Sequence, residues 1–244
     1  MAELPDTGVR PHEGPPVARP LAAQYARMAG VSGAVFAVLL VAGLVLVHRS
    51  PAMGVSDSGY AAFYNDGGKT VLVSLGLYVV PFAGIAFLWH MTTMRLLVRS
   101  VTPSPSAVPF GLQTLSGVLF VGLLFAGTGA AGAVALVQDL TDDPLPAADV
   151  GRSLTGLGYA LVFVYGTRAA GMYAISTSTL LRNAGLLPRW AAVLSYLMAT
   201  VMLVATTFNP AVLLVFPGWV ALVAAIVLVR TGRSGDGTSG RSRT

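Results

Sequence analysis

Residues 109–137, PFGLQTLSGVLFVGLLFAGTGAAGAVALV, form a run without a single charged side chain. A helix needs about 20 predominantly apolar residues to cross the hydrocarbon core of a bilayer. The run therefore predicts a transmembrane helix that tilts or extends beyond the membrane. Five more segments are similarly apolar, at 29–48, 70–90, 154–180, 191–207 and 211–229. The sequence thus predicts an all-α, polytopic membrane protein with six transmembrane helices arranged as three hairpins.

The overall composition agrees with this prediction. Of the 244 residues, 55% are hydrophobic and only 10% are charged, and the mean hydropathy is +0.73. Soluble domains carry about a quarter charged residues, so lipid is the predicted surrounding of most side chains. The net charge of +5 indicates no nucleic-acid partner, because the Arg residues cluster in loops and tails. The chain has no cysteine, which excludes disulfides and thiolate metal sites.

The distribution of basic residues predicts the orientation of the helices. With a cytoplasmic N-terminus, the opposite side of the membrane holds only Arg49, Lys69 and Arg152. Cytoplasmic loops carry an excess of Lys and Arg, so both termini are predicted to be cytoplasmic. The eleven basic residues on the cytoplasmic side are Arg10, Arg19, Arg27, Arg95, Arg99, Arg182, Arg189, Arg230, Arg233, Arg241 and Arg243.

The two ends of the chain differ in composition from the apolar segments. Residues 1–28 include the Pro-rich and charged PDTGVRPHEGPPVARP, and 230–244 is RTGRSGDGTSGRSRT. Such compositions cannot bury enough apolar surface to fold. We therefore expect a disordered N-terminal tail over 1–28, a transmembrane domain over 29–229 and a disordered basic tail over 230–244.

Arg168 is the anomaly of the fourth apolar segment, in VFVYGTRAAGMYAIS (162–176). A guanidinium stays ionised at physiological pH, and none of the six apolar cores contains an acidic residue. Two interpretations remain open. Arg168 is a structural residue that extends toward the cytoplasm and bonds carbonyls or water, or it forms the floor of a site for an anion or polar ligand. For the second case, the candidate ligand-binding residues are Arg168, Tyr165, His90, Gln113 and Ser176.

Small residues recur every fourth position on two of the predicted helices. One set is Gly122, Ala126 and Ala130, and the other is Gly166, Ala170 and Ala174. Such spacing lets helix backbones approach closely in lipid, so both sets are predicted to be helix-packing faces.

Signals for catalysis, metals and cofactors are weak. His48, Ser56 and Asp57 lie in a short loop without a scaffold for a catalytic triad. The acidic stretch QDLTDDP (138–144) lacks the pattern of a calcium-binding loop. His48 and His90 are predicted at opposite membrane surfaces and cannot share a haem iron. We expect no enzyme activity, no metal and no cofactor.

Several longer stretches carry a family resemblance. VYGTRAAGMYAISTSTLLRNAGLLPRW (164–190), LVFPGWV (214–220), PFAGIAFLWH (81–90) and GYAAFYND (59–66) resemble an uncharacterised family of small multi-pass membrane proteins from actinobacteria. The resemblance covers most of residues 25–230. It implies a six-helix bundle in the bacterial plasma membrane and adds no activity.

Two functions therefore remain open from the sequence. The first is a small transporter or ligand-binding bundle that uses Arg168. The second is a structural or accessory subunit that packs on other membrane proteins, or on a further copy of itself, through its Gly and Ala faces. The lipid bilayer is a partner in either case.

Overall fold

The protein is built from helices alone in the part of the chain that its computed structural model describes, residues 18–141, 143–204 and 211–236. The prediction of an all-α fold is confirmed for these ranges. The seven helices are α1 (Ala18–Val47), α2 (Asp57–Tyr64), α3 (Gly67–Val101), α4 (Ala107–Leu140), α5 (Ala148–Tyr159, the π-helical segment Ala160–Gly166 and Thr167–Asn183), α6 (Arg189–Val204) and α7 (Ala211–Asp236).

Four of these helices are long and apolar enough to cross a membrane. Their apolar stretches are Leu21–Val47 in α1, Gly67–Val101 in α3, Ala107–Leu140 in α4 and Leu214–Thr231 in α7. The prediction of a membrane protein is therefore supported at this level. α5 is as long as α3 but is interrupted by the π-helical segment, and α6 is a shorter apolar helix.

The helices extend beyond the predicted apolar segments. α1 begins at Ala18 rather than at residue 29, and α3 continues to Val101 rather than ending at 90. At about 1.5 Å per residue, α3 is about 52 Å long, well beyond the roughly 30 Å of a hydrocarbon core. Part of the predicted N-terminal tail is therefore helical, as is 230–236 of the predicted C-terminal tail. Residues 1–17 and 237–244 lie outside the described part of the chain.

The bundle has two chemically different ends. At one end, which we call the α2 end, lie α2, the end of α1 and the beginning of α5. At the other, the tail end, α1 begins, α7 ends and a short connection joins α3 to α4. Arg95 and Arg99 lie over the ring of Phe110 at the tail end, with guanidinium carbons 4.1 and 4.6 Å from its centroid.

A group of aromatic rings from five helices forms the centre of the bundle. Phe216 of α7 lies 4.8 Å from Phe120 of α4 and 5.6 Å from Phe87 of α3, measured between ring centroids. Phe87 in turn lies 4.9 Å from both Phe36 of α1 and Tyr173 of α5. All five side chains are buried. We call these five residues the aromatic core, and it joins every long helix of the bundle.

Helices α6 and α7 pack along only part of the length of the bundle. Phe216 lies close to the start of α7, yet it packs against rings near the middle of α3 and α4. At the end of α6, Leu203 packs on Gly171, which lies past the middle of α5. Within the described residues, α6 and α7 thus accompany only the tail-end half of the bundle. The predicted turn at Asn209-Pro210 lies outside the described part of the chain.

The two small-residue faces have different surroundings. On α5, Ala170 and Ala174 are fully buried against neighbouring helices. On α4, Gly122 and Ala126 are exposed and Ala130 is half-buried, and a Cβ placed on Gly122 would meet no atom within 4 Å. Two other glycines, Gly127 and Gly158, allow α4 and α5 to lie close together. A Cβ on Gly158 would lie 2.5 Å from the carbonyl oxygen of Gly127.

This difference predicts opposite effects of two Gly-to-Ala substitutions. Gly158→Ala places a methyl group against a rigid backbone and should lower the melting temperature of the purified protein, because overpacking costs about 1–3 kcal/mol. Gly122→Ala, the matched control, should leave the melting temperature unchanged or raise it, since Ala favours a helix over Gly by about 1 kcal/mol. Equal effects of the two substitutions would contradict the described α4–α5 contact.

Candidate ligand groove at Arg168

Arg168 lines an open groove on the outside of the bundle, between α4 and α6. Its side chain is half-buried. Tyr165 lies beside it on α5 and is 57% exposed. The remaining walls are almost wholly apolar and include Leu112, Leu115, Leu119, Leu123, Met172 and Leu203. We call this surface the Arg168 groove.

The guanidinium of Arg168 bonds to its own helix. Nη1 donates a hydrogen bond of 2.6 Å to the carbonyl oxygen of Val164, one turn toward the α2 end. A helical side chain leans toward the N-terminus of its helix, which explains this direction. The bond to a backbone carbonyl is present, and the side chain points toward the α2 end of the bundle. The side of the membrane that this end faces stays a prediction.

Arg168 forms no ion pair within the described part of the chain. It lies about 24 Å along the helix from Arg152 and about 21 Å from Arg182, at about 1.5 Å per residue. The ion pairs among the described residues are Lys69 with Asp66 and Arg152 with Asp57 and Asp149, all at the α2 end. The groove therefore presents an apolar surface with one cationic group near the middle of α5.

His90 lies in a different part of the bundle from Arg168. It is 1% exposed, and its Nδ1 lies 2.8 Å from the carbonyl oxygen of Ala29. A Cβ on Gly33 would come within 2.8 Å of the same nitrogen, so a glycine on α1 makes room for the ring. His90 thus joins α1 to α3 inside the bundle.

Gln113 belongs to a buried polar cluster between α4 and α5. Its Nε2 donates a 3.0 Å hydrogen bond to Oγ1 of Thr177, and both side chains are fully buried. The hydroxyl of Tyr173 is buried beside Gln113 and Thr177. Oε1 of Gln113 is buried without a hydrogen-bond partner among the described residues. Ser176 is also buried. The predicted ligand set therefore does not converge, since only Tyr165 shares the groove with Arg168.

The polar residues at the α2 end hold the short helix α2 in place. Nη2 of Arg152 lies 2.5 Å from Oδ1 of Asp57 and 2.7 Å from the carbonyl oxygen of Val55, and Nη1 lies 3.0 Å from Oδ1 of Asp149. The hydrogen bond with Asp57 raises the pKa of Arg152 above its usual value. Burial raises the pKa of Tyr64 to about 12, so this ring stays neutral against α3 and α4.

The residues considered for catalysis or metal binding contact different partners. Ser56 caps α2 by accepting a hydrogen bond from the amide of Gly59, whereas His48 lies 3.3 Å from the hydroxyl of Tyr159. No group of three His, Asp or Glu side chains suited to a metal ion occurs among the described residues. Asp142 lies outside them.

Sequence reasoning missed the buried cluster around Tyr173. Tyr173 and Thr177 are one helical turn apart, so their shared face was visible in the sequence. Their meeting with Gln113 depends on the alignment of α4 with α5, which no pattern within either helix specifies.

No protein family, no curated protein and no solved structure matches the chain. The resemblance to actinobacterial membrane proteins accordingly stays a prediction. The Arg168 groove is the feature of the structure that bears on function.

Replacing Arg168 tests whether the residue stabilises the fold. Arg168→Leu removes a cation whose described contacts with the protein include only one hydrogen bond, so we expect an unchanged or higher melting temperature in detergent. Replacing a poorly compensated charge by an apolar residue is often neutral or stabilising. Arg152→Leu is the control and should lower the melting temperature, because it frees α2. A large loss of stability with Arg168→Leu would show that Arg168 is a structural residue.

Proposed function

We propose that the protein is a non-catalytic accessory membrane protein that binds an acidic transmembrane helix of a partner in the Arg168 groove. The observation that carries the proposal is the half-buried guanidinium in an open apolar groove, bonded only to Val164 among the described residues. A charge in this setting gains most from a counter-charge that arrives with its own apolar surface.

The groove favours a helix over a soluble anion. Its walls are Leu and Met side chains, and it opens sideways rather than at an end of the bundle. The exposed Gly122 and Ala126 continue the same side of α4 and leave room for a helix backbone. Transport of a polar ligand is less well supported, because His90 and Gln113 face other helices.

A second copy of this chain cannot supply the missing charge. None of the predicted apolar cores contains Asp or Glu, so the counter-charge has to come from another protein. We therefore favour association with a different protein over association with a second copy of this chain. The partner helix is defined by its chemistry, namely a carboxylate near the middle of an otherwise apolar span.

The proposed topology keeps both termini in the cytoplasm. α1, α3, α4 and α5 cross the plasma membrane, and the tail end with its Arg residues faces the cytoplasm. α6 and α7 form a hairpin that enters from the cytoplasmic side and reaches the middle of the bilayer. Leu214–Thr231 of α7 is long enough to cross a membrane, but the packing of Phe216 against rings near the middle of α3 and α4 supports the half-length position. This arrangement retains the predicted sides of the termini and replaces the six-crossing, three-hairpin arrangement with four crossings and a half-length hairpin.

The proposal predicts selective association with a synthetic transmembrane helix. A Leu-Ala model helix with one central Glu is compared with the same helix carrying Gln, by energy transfer to a dye on Ser104→Cys in lipid vesicles. We expect the Glu helix to bind about tenfold more tightly, a difference of about 1.4 kcal/mol. Arg168→Leu should abolish the difference and Arg168→Lys should retain part of it.

The matched control is Arg182→Leu, which removes an Arg from the same helix outside the groove and should leave the preference intact. Equal binding of the Glu and Gln helices to the unmodified protein would contradict the proposal. A preference that survives Arg168→Leu would also contradict it.

A further inference from the structure

A cavity of about 270 Å³ lies at the α2 end, on the opposite half of the bundle from α6. Its walls come from α1, α4 and α5, with Leu214 from the start of α7. Among its polar lining residues, the hydroxyls of Ser50 and Thr128 donate hydrogen bonds to nearby backbone carbonyls. His48 and Tyr159 contact each other through their side chains. The apolar lining used below comprises Leu44, Gly127, Val162 and Phe163.

The backbone explains why the cavity exists. α7 begins in the middle of the bundle, so the half near α2 receives no side chains from α6 and few from α7 among the described residues. The π-helical segment Ala160–Gly166 forms one wall and turns Val162 and Phe163 inward together. Single π-helical turns are rare and often occur at functional sites.

His48 and Tyr159 form a polar pair that can bind the head group of an amphipathic molecule. Nδ1 of exposed His48 lies 3.3 Å from the hydroxyl of Tyr159, and the Tyr159 ring stacks on Phe163 at 5.2 Å between centroids. The described lining contains no Asp, Glu, Lys or Arg side chain. Such a lining fits a neutral group that both donates and accepts hydrogen bonds, with an apolar chain below it.

We propose that this cavity binds one lipid-soluble molecule with a neutral hydrogen-bonding head at His48 and Tyr159 and a single apolar chain reaching Leu214. At about 30 Å³ per small group, the volume of a water molecule in the liquid, the cavity holds roughly nine such groups. Decan-1-ol, with eleven non-hydrogen atoms, fills this space and reaches the open side of the cavity. The site is separate from the Arg168 groove and does not depend on the partner helix.

Photolabelling of the protein in lipid nanodiscs tests the proposal. The probe is decan-1-ol with a diazirine at the end of its chain, and labelled peptides are located by mass spectrometry. We expect saturable labelling next to Leu214 and Val162, displaced by decan-1-ol and much less by decane. Leu44→Phe should abolish the saturable labelling by filling the cavity, whereas Leu75→Phe, on the exposed face of α3, should preserve it.

The head of the ligand is tested separately from its chain. Tyr159→Phe and His48→Ala each remove a hydrogen-bonding group and should weaken displacement by decan-1-ol about fivefold, while Tyr78→Phe, an exposed control, should have no effect. Labelling that does not saturate, or that survives Leu44→Phe, would overturn the site. Equal displacement by decane and decan-1-ol would overturn the assigned head.

Discussion

The aromatic core is the contact on which the rest of the bundle depends. Phe216 enters it from α7 and meets rings of α3, α4 and α5 near the middle of those helices. In lipid the hydrophobic effect does not drive helices together, so close packing of this kind supplies much of the association energy. The core thereby fixes the position of the start of α7 relative to α3 and α4.

The two candidate sites lie on either side of this arrangement. Toward the α2 end, the cavity lies between α1, α4 and α5, with His48 and Tyr159 in contact on its lining. Toward the tail end, α6 lies against α5 and forms one wall of the Arg168 groove through Leu203. The cavity lies between three helices, is open on one side and suits a small amphipathic molecule, whereas the groove lies on the outside of the bundle and suits a helix.

Local patterns in the sequence predict the helices well. They predict poorly how neighbouring helices are aligned with one another. The apolar run of α4 and the orientation of Arg168 away from Ala170 and Ala174 follow from residue type and helical period. The packing of Leu203, at the end of α6, on Gly171 of α5 does not follow from the sequence. Hydropathy counts apolar residues and does not record which neighbours they contact. The position of His90 does not follow from the sequence either, since its contact with Ala29 depends on the packing of α1 on α3.

The depth of α6 is the most direct test of this account. The chain has no cysteine, so Val204→Cys and Ser50→Cys can each be labelled with a membrane-impermeant maleimide on intact cells. The half-length hairpin predicts labelling at position 50 and none at 204, because the latter lies within the hydrocarbon. Labelling of both positions from outside the cell would show that α6 crosses the membrane and would contradict the account.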